Sequence, residues 1–408
     1  MVPQRARQTF RSFAVVDFRW FAGASLMVNV ATWMQRIAQD WLAMTIAPSG
    51  QGTTVGIVTA LQFLPMLLAS PFAGALADRL PKRRVLVATS LALAISAIAL
   101  GAMTAKAVVS VPMLYAFALV LGVAAAIDGP ARMAYVRTFT PDKDLVNAIG
   151  LSALLFHTSR VLGPALAGAL MAAAGTGSAF LAVGCCHLLA TVMLGAITRE
   201  KPASPADRPG LRAAATRLGR HPDLLVLMAL ACVVSAFAMN FQITITLMAT
   251  RTFSLSAGAF GALTSLMALG SIGGALSMSA SSGPSYRMIC SAAGGLGLAY
   301  TIAALCPGSL AFAMALVPIG FLSNRYMVAS SSLFQLRAPG EIQGRALGLY
   351  QTATYVLVPA GAALIGRAAD IYTPRIPLGI AGLTCIAAAL VASRMLARRH
   401  GQTSTTAP

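Results

Sequence analysis

Charge is the scarcest resource in this chain. Asp, Glu, Lys and Arg together make up 10% of the 408 residues, and only 11 of them are acids. A soluble domain dresses its surface with about a quarter charged residues, so this chain cannot be solvated as a globule. Six cysteines (Cys185, Cys186, Cys232, Cys290, Cys306, Cys385) fall in or beside apolar runs without a CxxC spacing. That sets aside thiol redox pairs and metal sites and leaves them as small helix-packing residues. The sequence has no GxxxxGK[ST] phosphate loop, no HExxH and no GxSxG. Neither an ATP-driven pump nor a membrane hydrolase of those kinds is expected, and with them go any catalytic residue, cofactor or metal.

In place of charge there is hydrocarbon: 57% of the residues are hydrophobic and the mean hydropathy is +0.76. A membrane-crossing helix takes about 20 mostly apolar residues, so this length accommodates roughly a dozen spans and no large soluble domain. Apolar runs lie at about 16 to 46, 54 to 77, 84 to 105, 112 to 134, 147 to 173 and 178 to 198. A polar, proline-containing stretch from Arg199 to Arg220 follows, and then runs at about 222 to 249, 257 to 280, 287 to 305, 309 to 333, 344 to 366 and 376 to 396. The N-terminal Arg5, Arg7 and Arg11 precede an apolar run that continues past Met44, which predicts a retained first span and not a cleaved leader.

The expected organisation is a six-helix bundle over 1–198, a cytoplasmic linker over 199–220, a second six-helix bundle over 221–398 and a disordered tail over 399–408. The net charge of +19 encodes topology and not nucleic-acid binding. With the N-terminus inside, 23 of the 30 basic residues fall on cytoplasmic segments. The outer segments keep four: Lys106, Arg251, Arg367 and Arg375. That asymmetry places both termini in the cytoplasm. The halves also echo one another. Gly74-Ala75-Leu76 returns as Gly274-Ala275-Leu276, and the Pro141 segment ending in Ala148, Gly150 and Leu151 returns as the Pro339 segment ending in Ala346, Gly348 and Leu349. Two parallel six-helix repeats around a central cavity form an architecture of alternating-access transporters.

The loop after the second span reads Gly74-Ala-Leu-Ala-Asp78-Arg79-Leu-Pro81-Lys82-Arg83-Arg84. It resembles the signature G-x-x-x-D-R-x-G-R-R of the major facilitator superfamily, with Pro81 where the family has glycine. The resemblance implies a cytoplasmic gate in which Asp78 pairs with a basic residue of a neighbouring helix and with a helix N-terminus; Gly74, Arg79, Lys82, Arg83 and Arg132 complete it. The competing reading is a solvated topogenic loop, which explains Lys82 to Arg84 but not Asp78. In the fifth span, Ser159-Arg160-Val-Leu-Gly163-Pro164-Ala-Leu-Ala167-Gly168 looks like an incomplete form of the superfamily's antiporter motif, and so favours export. Small residues there let helices approach closely and Pro164 bends the helix. Trp33-Met34-Gln35-Arg36, Asp128-Gly129-Pro130-Ala131-Arg132 and Asn147-Ala148-Ile149 are similar to the branch containing bacterial macrolide efflux pumps and the enterobactin exporter.

Each charge left inside a span costs roughly 2.5 to 3.5 kcal/mol on insertion scales and is a site hypothesis by default. Asn29, Trp33, Arg36 and Asp40 share one face of the first helix. Asp40 meets the chemical requirement for a proton carrier, and Arg36 with Asp40 equally reads as a pair that neutralises itself. Asp128 is the second candidate for proton coupling. It stands opposite Arg325 if the repeats face each other, or pairs locally with Arg132 at i,i+4. Arg160 would attract an anionic substrate or hold a carboxylate such as Asp40. His157, one turn earlier, reads first as a packing residue, and Asn240, Gln242 and Asn324 add polar groups in the second half.

These readings converge on a secondary transporter of an inner bacterial membrane. It is expected to be a monomer exchanging protons for a small amphipathic compound such as a drug, siderophore or secondary metabolite. The alternatives are a gradient-driven uniporter or symporter of a polar metabolite and, in another class, a non-transporting receptor or scaffold.

Overall fold

A computed structural model describes residues 11–79, 81–140, 142–197, 211–279, 283–339 and 343–404. Among these residues twelve membrane helices follow one another. The first four are α1 Val16–Ile46, α2 Gln51–Arg79, α3 Lys82–Ala105 and α4 Val111–Phe139. The next stretch, Asp142–Gly195, is broken at Gly175, whose backbone takes φ 80° and ψ 169°. We count α5 before that break (142–174) and α6 after it (176–195). Only glycine enters that conformation without penalty, so one residue turns the chain between two spans.

After a short linker helix, Leu211–Leu218, α7 is assembled from Pro222–Phe237, Phe241–Leu247 and a π-helical turn, Met248–Thr252. Then come α8 Ala257–Ser279, α9 Tyr286–Leu305 and α10 Ser309–Arg337. The eleventh helix, α11, consists of Gln343–Val356 and Val358–Ile371, and α12 is Arg375–Ser404. Helices dominate because lipid offers no partner to an open N–H or C=O, so each span must satisfy its backbone internally. Pro359, in the first turn of the second piece of α11, removes a donor where none is needed.

Ten stretches of the described residues are long and apolar enough to cross a membrane by length and composition. Helix α1 is not among them, and it carries Asn29, Gln35, Arg36, Gln39 and Asp40. Its polar side chains are buried inside protein: Gln35, Gln39 and Asp40 are each 0% exposed. The outward faces of the other spans are the reverse, with Met133, Leu276, Leu305 and Leu310 exposed as lipid would have them.

Contacts divide the chain into two compact units, Met1–Ile46 with Leu61–Ala206, and Ala47–Ala60 with Asp207–Pro408. Helix α2 therefore contributes its first turns to the second unit and the rest to the first. In the first unit α1 packs on the α5–α6 stretch, and α3 packs on α4 and on that same stretch. The second unit pairs α7 with α11 and α9 with α12. Glycines set these crossings. A Cβ on Gly163 of α5 would stand 2.6 Å from the Trp33 Cβ of α1, and one on Gly297 of α9 would stand 2.5 Å from the Gly382 oxygen of α12. One apolar cluster, built on Phe18, Phe21, Leu86, Tyr135 and Leu194, locks α1, α3, α4 and α6 at one end of the first unit.

Candidate functional site

The polar groups of the first unit fall into two clusters. One lies on α4. Asp128 and Arg132, a turn apart on this helix, are both buried. Arg132 donates Nε–H to Asp128 Oδ2 at 2.8 Å and Nη2–H to Oδ1 at 2.8 Å, the bidentate fork that makes Arg–carboxylate pairs strong. Thr89 of α3 donates its hydroxyl to Oδ1 at 3.1 Å, and Arg132 Nη1 reaches Ser25 Oγ of α1 at 3.1 Å. Three helices are thus tied through one Asp–Arg pair.

His187 of α6 completes this cluster and carries no motif in the sequence. It is 0% exposed and close enough to Asp128 and Arg132 to feel both charges. Neither ring nitrogen has a hydrogen-bond partner among the described residues. A buried imidazole left with open donor and acceptor positions beside a carboxylate can take or pass a proton.

The second cluster surrounds Trp33 of α1. The Arg36 guanidinium carbon stands 4.0 Å from the Phe63 ring centroid and 5.3 Å from that of Trp33. The Arg160 carbon, from α5, stands 5.4 Å from the Trp33 centroid. Phe156 meets the Trp33 ring edge-on, centroids 6.3 Å apart. Gly163 lets α5 come close enough for Arg160 to reach the indole. Pro164 lies inside the same helix, and Gly168 is buried one turn on. Beside the cluster, Gln62 Nε2 donates to Gln39 Oε1 at 2.9 Å. Asp40 is fully buried and Asn29 half-buried on the same helix.

Arg325 of α10 donates to Ser277 Oγ of α8 at 3.0 Å and lies over Phe321. The Asp128 oxygens are engaged by Arg132 and Thr89 within the first unit, so the local pairing is the one drawn. In the second unit the break in α7 is bridged to α11. Asn240 Nδ2 donates to the Ala236 oxygen at 2.7 Å and to the Val358 oxygen at 3.4 Å, beside Tyr300 donating to the Ala238 oxygen at 2.6 Å. Buried Gln242 follows the break, and its Nε2 has no partner among the described residues. Interrupted helices are where many transporters place ligand contacts.

Of the gate-motif residues, Gly74, Asp78 and Arg79 lie in 69–80, whose side chains fall outside the described residues. So do the His157 side chain, the linker residues 198–210, and 405–408 of the tail. Lys82 is buried. Arg83 closes the end of α6, donating Nε–H to the Leu194 oxygen at 3.0 Å and an Nη2–H to the Gly195 oxygen, where a cation complements the helix dipole.

A third arrangement was not legible in the sequence. Asp370, at the end of α11, accepts from the Gly52 amide at 2.9 Å, the Thr53 amide at 2.7 Å and the Thr53 hydroxyl at 2.6 Å. It thereby caps the first turn of α2. Arg251 of α7 donates to its Oδ1 at 2.9 Å and to the Ala369 oxygen at 2.8 Å.

Solved structures share this architecture. A bacterial homologue of the human lysosomal transporter Spinster, inward-facing and occupied, superposes with a TM-score of 0.73 over 94% of this chain and 97% of its own, at 16% identity. The nucleoside transporter NupG does so with a TM-score of 0.70 over 92% and 99%, at 12% identity. Both show the major facilitator fold of twelve helices in two related bundles. Among sequence relatives, the staphyloferrin A transporter of Staphylococcus aureus is 24% identical over 43% of this chain and 44% of its own. The chain thus matches less than half the length of that relative. The multidrug efflux pump Tap of Mycolicibacterium fortuitum is 24% identical over 85% of this chain and 88% of its own. The family model described as transmembrane secretion effector matches residues 8–407, and the chain belongs to that family of major facilitator transporters.

Proposed function

We propose that the chain exports a small amphipathic organic compound in exchange for protons, from the inner membrane of a bacterium, as a monomer with both termini in the cytoplasm. One observation carries the proton half: two carboxylates, Asp40 and Asp128, are buried within spans of the first unit, 0% and 8% exposed. A buried carboxylate whose surroundings change between two conformations changes its proton affinity with them, and that difference is what couples a gradient to a conformational cycle. Asp128 has the better-defined surroundings. Its charge is balanced by Arg132, and protonation would release the guanidinium that ties α4 to Ser25 of α1. His187 lies alongside as a route for the proton. Export is supported by the Gly163-Pro164 crossing and by the efflux pump Tap, matched along most of the chain.

The test is dye efflux from inside-out and right-side-out vesicles with an imposed pH gradient, comparing wild type with Asp40→Asn and Asp128→Asn. Wild type is expected to move dye only with the gradient, and one substitution to abolish that coupling. Movement that ignores the gradient in all three proteins would replace exchange with a uniporter of a polar metabolite. No movement in either orientation would favour a receptor or scaffold.

A further inference from the structure

The charges around Trp33 do not balance. Outside the first and last turns of its helices, the first unit has two acids among the described residues, Asp40 and Asp128. Arg132 neutralises Asp128 through a bidentate pair. That leaves Asp40 against two arginines, Arg36 and Arg160, both set on one indole ring. Whatever contacts these side chains make with one another, the cluster holds one positive charge in excess. Its depth makes the excess expensive. Trp33 lies two residues past the centre of α1, roughly 3 Å along its axis, and Arg160 is equally near the centre of α5. Arg36 is buried and Arg160 half-buried, so a surplus cation at that depth is poorly solvated and favours an anion that comes to it. Phospholipid headgroups do not reach that depth.

The geometry also suits reception of an anion. A guanidinium stacked on an aromatic face keeps its in-plane N–H donors for other partners, and those donors match the two oxygens of a carboxylate. Two such groups at one indole ring, with Phe63 and Phe156 adjoining, offer paired charge recognition beside a flat apolar surface. We propose that the cargo of this transporter is an organic anion, an amphipathic carboxylate held between Arg36 and Arg160 against Trp33. The assignment rests on the exporter reading and adds the sign of the substrate's charge.

Two xanthene dyes that share a ring system and differ in charge separate the alternatives: carboxyfluorescein, an anion, and rhodamine 123, a cation. Fluorescence polarisation with the purified full chain is expected to show carboxyfluorescein binding at least tenfold tighter. Arg160→Gln and Arg36→Gln should each weaken that binding about tenfold, the equivalent of about 1.4 kcal/mol, and leave rhodamine 123 unchanged or tighter. Arg160→Lys, which keeps the charge but loses the planar fork, should weaken the anion less than Arg160→Gln does and separates loss of charge from loss of fold. Equal or preferential rhodamine binding, or an anion affinity that Arg160→Gln leaves intact, overturns the proposal. So does absence of binding by both dyes. Gradient-driven export of rhodamine 123 with no preference for the anion would leave the exporter standing and remove the anion site. Anion binding without any gradient dependence would do the opposite.

Discussion

Two Asp–Arg pairs among the described residues have almost the same bond lengths and opposite settings. Arg132 and Asp128 meet at 2.8 Å with side chains 10% and 11% exposed, a turn apart on one helix. Arg251 and Asp370 meet at 2.9 Å with side chains 31% and 12% exposed, at the ends of two helices. The first pair stores two charges in a place where neither can exist alone. The second borrows a carboxylate to finish a helix, and its arginine is an addition to a bond network that the Gly52 and Thr53 donors already supply. Ion-pair distance therefore says little about what a pair does. The neighbouring donors and the access to water decide whether losing one partner strands a charge or merely frees it.

The largest effect expected from that contrast is on stability. Arg132→Gln leaves Asp128 buried without its counter-ion, and should lower the unfolding free energy by about 3 to 5 kcal/mol, unless the carboxyl takes up a proton. Asp128→Asn with Arg132→Gln removes both charges and should recover most of the loss. Thermal unfolding in detergent across the four proteins of that cycle measures the coupling. A double variant no more stable than Arg132→Gln would mean that the pair is not the unit that matters.

How much of this was readable beforehand divides along the same line. Spans and half-repeats were legible because hydrophobic run length is a property of the chain in one dimension: the run expected at about 16 to 46 is α1, Val16–Ile46. The Asp128–Arg132 pair was legible only as one of two readings, because i,i+4 spacing allows it on any helix while the repeat also offered Arg325 as the partner. His187 was not, since nothing local distinguishes it from any other histidine in an apolar run; only the packing of α6 against α3 and α4 brings it to Asp128. Nor was Asp370, whose partners lie more than 300 positions away in sequence, at Gly52 and Thr53. The breaks in α7 and α11 were missed because Ala238, Met239 and Leu357 are as apolar as their neighbours, and Asn240 read as one more polar group within a span.

Asp370→Ala should cost about 1 kcal/mol, the usual worth of a helix cap, because water can replace part of what is lost. Hydrogen exchange gives the sharper readout. The amides of Gly52 and Thr53 should exchange faster in Asp370→Ala, and less so in Asp370→Asn, which retains an accepting oxygen. Unchanged exchange at those two amides would show that the cap is not formed in solution. Gly366→Ala on α11 probes the same contact sterically. Its Cβ would stand 3.2 Å from the Gly56 Cα and closer still to the Gly52 carbonyl, and overpacking of that kind typically destabilises by about 1 to 3 kcal/mol.

The smallest effect is the one that separates the two pairs without changing any atom. Salt screens exposed charges within a Debye length of about 3 Å at 1 M, and buried ones much less. Arg251, a third exposed in its pair, should therefore lose most of its attraction to Asp370 as ionic strength rises, while Arg132 keeps its hold on Asp128. Arg251→Gln should accordingly destabilise by less than about 1 kcal/mol in low salt and by almost nothing in high salt, whereas the penalty for Arg132→Gln should hardly move. If both penalties fall together with salt, Asp128 is in contact with water in the protein's resting state. A hydrated Asp128 would exchange protons directly with solvent, and His187 would have no proton to pass.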